Sequence, residues 1–163
     1  MTAELDLDLV THESWMQEAL LLAKQAGDAD EVPVGAVIVQ DGKIIGRGFN
    51  RPIRTFDATA HAEIVAIRSA SQFRRNYRLP GTTLYVTIEP CTMCLGAMIH
   101  ARIDRLIFGA TEPRAGAIVS HSQLIGADYF NHQLSFIEGV LAEECSSLMQ
   151  SFFISRRSGN KLA

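Results

Sequence analysis

Cysteine is scarce in this chain of 163 residues, which contains three, and the odd number excludes a fully paired disulfide framework. The sequence also lacks an apolar run of the roughly 18 to 20 residues that a membrane helix needs, because Asp, Arg, Gln or Gly interrupts every candidate. Residues 1–13 are acidic and contain no basic start followed by an apolar stretch, so we expect no secretory signal. These absences predict a cytoplasmic protein that does not associate with membranes.

The composition is that of an ordinary folded domain. Apolar residues make up 47% of the chain and charged residues 20%, which excludes wholesale disorder. The length suits one hydrophobic core, and the sequence shows no internal repeat, low-complexity tract or linker. We therefore expect a single domain over residues 1–163, in which residues 1–11 form a poorly ordered acidic N-terminal extension.

The formal net charge of −3 argues against binding to nucleic acid by charge alone, but the charge is unevenly distributed. Residues 1–31 contain eight acids and one base, whereas the rest of the chain contains ten acids and fourteen bases. The arginines of this second part either form a local basic surface for phosphates or are scattered and solvated. The sequence leaves both interpretations open.

Periodicity predicts alternating helices and strands. Asp41-Gly42 lies between two β-rich runs and predicts a hairpin turn, and Thr11 is a candidate N-cap for the first long helix. Helices are expected at about 12–25, 61–71 and 91–100 and after Leu141, and strands at 32–39, 43–49, 84–88, 105–108 and 134–137. This order predicts a mixed sheet with helices on its faces, in which the first two strands are antiparallel and strands separated by helices are parallel.

Two short motifs at predicted helix starts carry the chemistry. One contains His61 and Glu63, and the other is Pro-Cys-x-x-Cys with Cys91 and Cys94. Cysteines three apart at a helix start project to the same side, and the positive helix end favours the thiolate form that a metal needs. With the imidazole of His61 they make three ligands, and a tetrahedral zinc then keeps the open fourth position of a catalytic site.

Glu63 follows the proposed histidine ligand by two positions and need not bind the metal. A carboxylate beside zinc-bound water can take a proton from the water and deliver it to a substrate nitrogen. Attack of the zinc-bound hydroxide on an amidine carbon of a nucleobase, with loss of ammonia, is hydrolytic deamination. The alternatives are a redox Cys-x-x-Cys pair, which leaves His61 and Glu63 without a role, and a chance His-x-Glu.

Beyond this site, blocks spread along the chain resemble the bacterial tRNA-specific adenosine deaminases of the cytidine deaminase-like superfamily, whose motif combines His-x-Glu with Pro-Cys-x-x-Cys. The blocks cover nearly the whole chain after Glu13 and include Glu31-Val-Pro-Val-Gly-Ala-Val, Gly48-Phe-Asn-Arg-Pro-Ile53, Thr59-Ala-His-Ala-Glu-Ile64, Thr83 to Cys94, Gly96 to His100 and Glu138 to Cys145.

This resemblance implies a three-layer α/β/α cytidine deaminase-like fold with about five strands, usually in a homodimer. It implies deamination of adenosine to inosine at the wobble position of the tRNA anticodon stem-loop, by attack on C6. One Zn²⁺ per subunit would be held by His61, Cys91 and Cys94, with Glu63 as the proton shuttle. Met98 and Ile99 are candidate residues of the dimer interface.

The resemblance also implies substrate contacts. Asn50 would contact the flipped nucleoside through its amide, although a turn residue that ends the hairpin is the alternative. The last helix of the family approaches the anticodon loop at the positions of Phe152, Phe153, Arg156 and Arg157, of which Phe153 and Arg157 are the predicted contacts. The alternative is that the two phenylalanines complete the apolar stripe of that helix.

The chain departs from the family pattern in residues 110–134. Glu112-Pro-Arg stands where the family often has Asp followed two residues later by Lys, and residues 127–130 are bulkier than usual. We expect Glu112 to be a substrate contact all the same, because the charge signs are kept.

Three other functions remain open at this point. One is a free-nucleobase or nucleoside deaminase with the same metal site, and another is a non-catalytic, zinc-stabilised RNA-binding module. The third is the redox protein already mentioned. The open coordination position and Glu63 argue against the last two.

Overall fold

The computed structural model describes residues 2–160, and the side chains of residues 8–159 among them. Five strands and five α-helices alternate along this part of the chain. In chain order they are α1 (Thr2–Asp28), β1 (Gly35–Gln40), β2 (Lys43–Phe49), α2 (Pro52–Thr55), α3 (Ala62–Arg74), β3 (Thr83–Ile88), α4 (Thr92–His100), β4 (Arg105–Ala110), β5 (Ser135–Ile137) and α5 (Ala142–Asn160). A single 3₁₀ turn, Leu124–Gly126, interrupts the long loop before β5.

The sheet is mixed, with the strand order β2-β1-β3-β4-β5. β1 is antiparallel to both of its neighbours, β2 and β3, whereas β3, β4 and β5 are parallel. The predicted hairpin is confirmed: Asp41 and Gly42 have φ of 50° and 71°, the left-handed pair that a two-residue turn between twisted strands requires. The predicted strand directions are confirmed as well.

Two glycines show that the helices cover both faces of the sheet. A Cβ atom on Gly35 of β1 would lie 2.0 Å from the carbonyl oxygen of Ala19 in α1, and one on Gly48 of β2 would lie 2.3 Å from that of Ala62 in α3. Gly48 pairs with Ala36, the residue after Gly35, and neighbouring residues of a strand point to opposite faces. The two helices therefore lie on opposite sides, as in the expected three-layer arrangement.

The first helix is longer than the sequence predicted. It begins at Thr2 rather than near His12, so Thr11 lies inside the helix and the prediction that it is the N-cap is wrong. Residues 2–11 contain neither Pro nor Gly, and a negative charge in the first turn, here Glu4, favours a helix start. Residues 2–11 of the segment that we expected to be a poorly ordered extension belong to this helix, and the degree of order of that segment stays a prediction.

The last helix packs on β4 through its first half. Cys145 is 1% exposed and packs directly on Gly109 of β4. The two residues are so close that a Cβ atom on Gly109 would lie 2.5 Å from Cys145 Sγ. Leu148 and Met149 pack against the core as the stripe predicted. Phe153 does not continue the buried part of the stripe, since its side chain is 44% exposed. No helix among the described residues is long and apolar enough to span a membrane.

Candidate metal centre

Three of the predicted site residues lie at the N-termini of two helices. His61 is the N-cap of α3 and Cys91 is the N-cap of α4, both with extended backbone, while Cys94 lies in the first turn of α4. A residue at an N-cap directs its side chain away from the helix, beside the free amides of the first turn. The ends of α3 and α4 meet here, so residues about 30 positions apart in sequence form one cluster.

The donor atoms of this cluster fit a tetrahedral zinc ion. His61 Nδ1 lies 3.6 Å from Cys91 Sγ and 3.5 Å from Cys94 Sγ, and all three atoms lie within 4.8 Å of one another. Zn–S bonds of about 2.3 Å and Zn–N bonds of about 2.0–2.1 Å at tetrahedral angles separate nitrogen from sulfur by about 3.5–3.6 Å. One nitrogen and two sulfurs at this spacing leave the fourth position open.

The pKa values of the two thiols shift in opposite directions. Hydrogen bonds with Cys94 and His61 lower the pKa of Cys91 to about 4, although burial opposes this. The hydrogen bond with Cys91, together with burial, raises the pKa of Cys94. The hydrogen bond with Cys91 also raises the pKa of His61. Because a metal needs both thiolates and a neutral imidazole, its binding here releases protons.

Glu63 lies in the first turn of α3, beside the sulfurs. Its side chain is 4% exposed and its carboxyl group is hydrogen-bonded to the Cys94 thiol. Burial raises the pKa of Glu63 to about 7. Gly48 makes this position possible, because any larger residue there would push the first turn of α3 away from the sheet.

Asn50 also lies at the N-terminus of α3. It follows β2, and its Oδ1 accepts a hydrogen bond of 2.8 Å from the backbone N–H of Ala62, the first residue of α3. The structure thus gives Asn50 a role at the start of α3, which neither the nucleoside contact nor the turn residue of the sequence analysis included. The bond does not use the amide nitrogen, so a nucleoside contact through that atom stays a prediction.

The other three predicted contacts line one cavity of about 680 Å³. Glu112 stands on the loop side, while Phe153 and Arg157 stand on α5. Among the residues that the structure describes, neither Asn50 nor the metal-site residues His61, Glu63, Cys91 and Cys94 line this cavity. The predicted site is therefore divided between a metal centre at the helix ends and a cavity beside α5.

Sequence reasoning missed two buried carboxylates that hold the surroundings of the site. Glu31 is 1% exposed and accepts hydrogen bonds of 3.1 Å from the backbone N–H groups of Ile53 and Arg54. Glu89 is 3% exposed and directly precedes Pro90 of the cysteine motif. Both residues lie in sequence blocks that carry the family resemblance, but a carboxylate that binds backbone amides far along the chain gives no periodic pattern in the sequence.

Comparison with known proteins agrees with this geometry. The family model described as "Cytidine and deoxycytidylate deaminase zinc-binding region" matches residues 9–110. A tRNA-specific adenosine deaminase of Haemophilus influenzae is 50% identical over 151 residues, which is 92% of this chain and 87% of that protein. A Bacillus subtilis protein of the same name is 41% identical over 93% of this chain and 94% of its own. The chain belongs to the tRNA-specific adenosine deaminase family.

Solved structures agree with the fold of this deaminase. A structure from a study of A-to-I editing by tRNA:A34 deaminases at the wobble position of transfer RNA has a TM-score of 0.81 at 44% identity, covering 83% of this chain and 98% of that one. A guanine deaminase from Nitrosomonas europaea has a TM-score of 0.71 at 24% identity, covering 86% and 83%, and shows the shared fold alone. The predicted cytidine deaminase-like fold and the zinc-binding character of the domain are thus confirmed.

Proposed function

We propose that this protein hydrolyses adenosine to inosine at the wobble position of a tRNA anticodon stem-loop and releases ammonia. The observation that carries the proposal is the cluster of His61, Cys91 and Cys94, with the buried carboxyl group of Glu63 against it. Relatives at 41–50% identity named as tRNA-specific adenosine deaminases support the choice of substrate.

The residues divide the chemistry between them. His61, Cys91 and Cys94 would hold the ion, and a bound zinc would supply Lewis-acid activation of water at neutral pH. Glu63 takes one proton from the attacking water and delivers it to N1 of adenine, and it then carries the second water proton from the new C6 hydroxyl group to the departing amino group. A bond forms between C6 of adenine and the water oxygen, the bond between C6 and N6 breaks, and ammonia leaves. The burial of Glu63 excludes bulk water from this transfer.

The cavity beside α5 supplies groups suited to unpaired RNA. Arg157 can pair with phosphates, and the exposed ring of Phe153 can stack on a base. Arg156 lies over the ring of Phe152 at 4.7 Å, which shows that this helix already pairs arginine with aromatic faces. An anticodon loop is unpaired, so its bases can enter the pocket without the cost of opening a duplex.

We further propose that residues 1–163 act as one domain in a cytoplasmic homodimer with one zinc per subunit. The interface needs residues other than those we expected. Met98 is completely buried and Ile99 is 4% exposed within a single chain, so both belong to its core. That prediction of interface residues is wrong, because the apolar run of α4 faces inwards.

Incubation of zinc-loaded protein with an anticodon stem-loop carrying a wobble adenosine tests the proposal. Inosine should form and ammonia should be released, and Glu63→Ala should reduce kcat by about 10²–10⁴-fold while the zinc content stays unchanged. Glu138→Ala, at an exposed position, is the control and should retain full activity. Release of ammonia from free guanine or cytosine but not from RNA would identify a free-base deaminase instead.

Two further outcomes would contradict the proposal. Binding of the stem-loop without hydrolysis would identify a non-catalytic RNA-binding module. Reversible oxidation of Cys91 and Cys94 in place of metal binding would identify a redox protein.

A further inference from the structure

Glu89 is bound on all sides by one segment of the chain. One of its oxygens, Oε2, accepts three backbone hydrogen bonds, from Ile118 at 3.1 Å, Val119 at 2.9 Å and Ser120 at 3.0 Å. The other, Oε1, accepts the backbone N–H of Glu112 at 3.0 Å and the hydroxyl group of Ser120. A carboxylate offers about four acceptor sites, so residues 112–120, which we call the anchored loop, saturate this one.

Packing adds to these hydrogen bonds. A Cβ atom on Gly116 would lie 2.4 Å from Cδ of Glu89, so the anchored loop approaches the carboxylate as closely as a backbone can. The next residue, Ala117, donates its N–H to the carbonyl oxygen of Pro90 at 2.9 Å. The loop is thereby fixed to the two residues that precede Cys91, on the strand side of the metal centre.

The anchored loop carries two of the charged residues of the cavity wall. Glu89 holds the backbone of Glu112, and the side chain of Glu112 in turn accepts the backbone N–H of Arg114 at 2.9 Å. Both Glu112 and Arg114 line the cavity that also contains Phe153 and Arg157. One buried carboxylate thus fixes the wall that faces α5.

We infer that Glu89 is a positioning residue for substrate binding: it holds the anchored loop as a preformed wall against the RNA and does not act on the metal. The inference rests on the proposed function, because the cavity is assigned to RNA. Four of the five hydrogen bonds that Glu89 accepts come from backbone N–H groups of the anchored loop, so they fix the backbone conformation of that loop directly. A substitution of Glu89 should therefore change the affinity for the RNA substrate and not the metal site, since the metal donors are held by α3 and α4.

Glu89→Gln tests this with little change of size. The amide group of glutamine presents a donor to a cluster of donors, which leaves buried N–H groups unsatisfied and loosens the loop. We expect KM for the stem-loop to rise about tenfold and kcat to change by less than about threefold. The zinc content should equal that of the unsubstituted protein, and Glu138→Gln is the charge-matched control.

A second measurement does not depend on activity. Hydrogen exchange of the amides of residues 112–120 should be faster in Glu89→Gln, while exchange in residues 50–61 stays unchanged. Ser120→Ala, which removes one of the five bonds, should change exchange and KM in the same direction but less. This variant keeps the test decisive if Glu89→Gln folds poorly.

Opposite results would overturn the inference. Unchanged exchange in the anchored loop, loss of zinc, or a fall of kcat at constant KM in Glu89→Gln would each do so. If the unsubstituted protein deaminates no stem-loop, the proposed function fails, and the exchange measurement still decides whether Glu89 anchors the loop.

Discussion

Two loops flank the metal centre, and they are held in different ways. Residues 50–61 are held by several independent contacts. The backbone N–H of Arg51 donates to the carbonyl oxygen of Ala60 at 3.1 Å, and that of Asp57 donates to the carbonyl oxygen of Pro52 at 3.0 Å. Glu31 accepts two further backbone N–H groups of this segment. The anchored loop instead directs four backbone N–H groups at the single side chain of Glu89. Backbone turns survive most substitutions, whereas a loop built on one carboxylate depends on that one residue.

Gly48→Ala, just before residues 50–61, should cause the largest losses of stability, zinc binding and activity. The new methyl group would lie 2.3 Å from the carbonyl oxygen of Ala62 and 2.5 Å from the backbone nitrogen of Ala66, so α3 must move together with His61 and Glu63. Overpacking of this kind costs about 1–3 kcal/mol. We expect lower stability in urea unfolding, weaker zinc binding and loss of deamination.

Gly96→Ala in α4 is the matched control, because a Cβ atom there meets nothing within 4 Å. A Gly→Ala change at a helix position with room for the methyl group should stabilise the protein by up to about 1 kcal/mol. Equal zinc loss in both variants would show that the close approach at Gly48 does not position the metal donors.

Asn50→Asp separates the two roles of Asn50. Aspartate keeps an acceptor for the Ala62 N–H and places a negative charge at the start of α3, so stability should be retained. The amide donor is lost, and we expect kcat/KM for the stem-loop to fall by about 10–100-fold. Full activity at unchanged stability would limit Asn50 to capping the helix.

Gly116→Ala tests the second loop by the same type of change. Its methyl group would collide with the Glu89 carboxylate, a side chain that can shift, rather than with the backbone of a helix. We expect KM to rise about tenfold with zinc binding retained, as for Glu89→Gln. If Gly116→Ala lost as much zinc as Gly48→Ala, the two loops would not differ in their effect on the metal centre.

The smallest effect should be a pH dependence of the protein's stability, which arises from His12 on the opposite face of the sheet. His12 Nδ1 lies 2.8 Å from the hydroxyl group of Tyr85. Burial and then Arg105 lower the pKa of His12, while Asp8 acts in the opposite direction. The folded state therefore binds fewer protons than the unfolded state, and stability should fall as pH decreases through about 6.5.

Urea unfolding between pH 5 and 8 measures this effect. His12→Gln should flatten the pH dependence without altering zinc binding or KM, because the pair touches neither loop. A pH dependence that is the same in the variant would assign it to other groups.

The predictions that held depended on local signals. The Asp41-Gly42 turn, the strand directions and the Cys91–Cys94 spacing each follow from residues close together in sequence. A family resemblance extended them to the complete fold. The pairing of His61 with the cysteines came from the chemistry of a known ligand set, and the structure brings the donor atoms together.

The failures depended on long-range packing. Nothing in the sequence near Glu89 indicates that backbone groups 23 to 31 positions later will surround it. Phe153 has the spacing of the α5 stripe, but its side chain is 44% exposed, and the spacing alone does not reveal this. The family resemblance implied a dimer, with Met98, Ile99 and their neighbours as candidate interface residues, but Met98 and Ile99 are buried within their own chain.

The tight contact between Cys145 and Gly109 gives the protein an internal reporter. Burial raises the pKa of Cys145 to about 12, and its sulfur lies wedged between α5 and β4. An alkylating reagent can reach it only after the helix separates from the strand. The rate at which Cys145 itself is modified, followed separately from Cys91 and Cys94, therefore reports the separation of α5 from β4 without an engineered label.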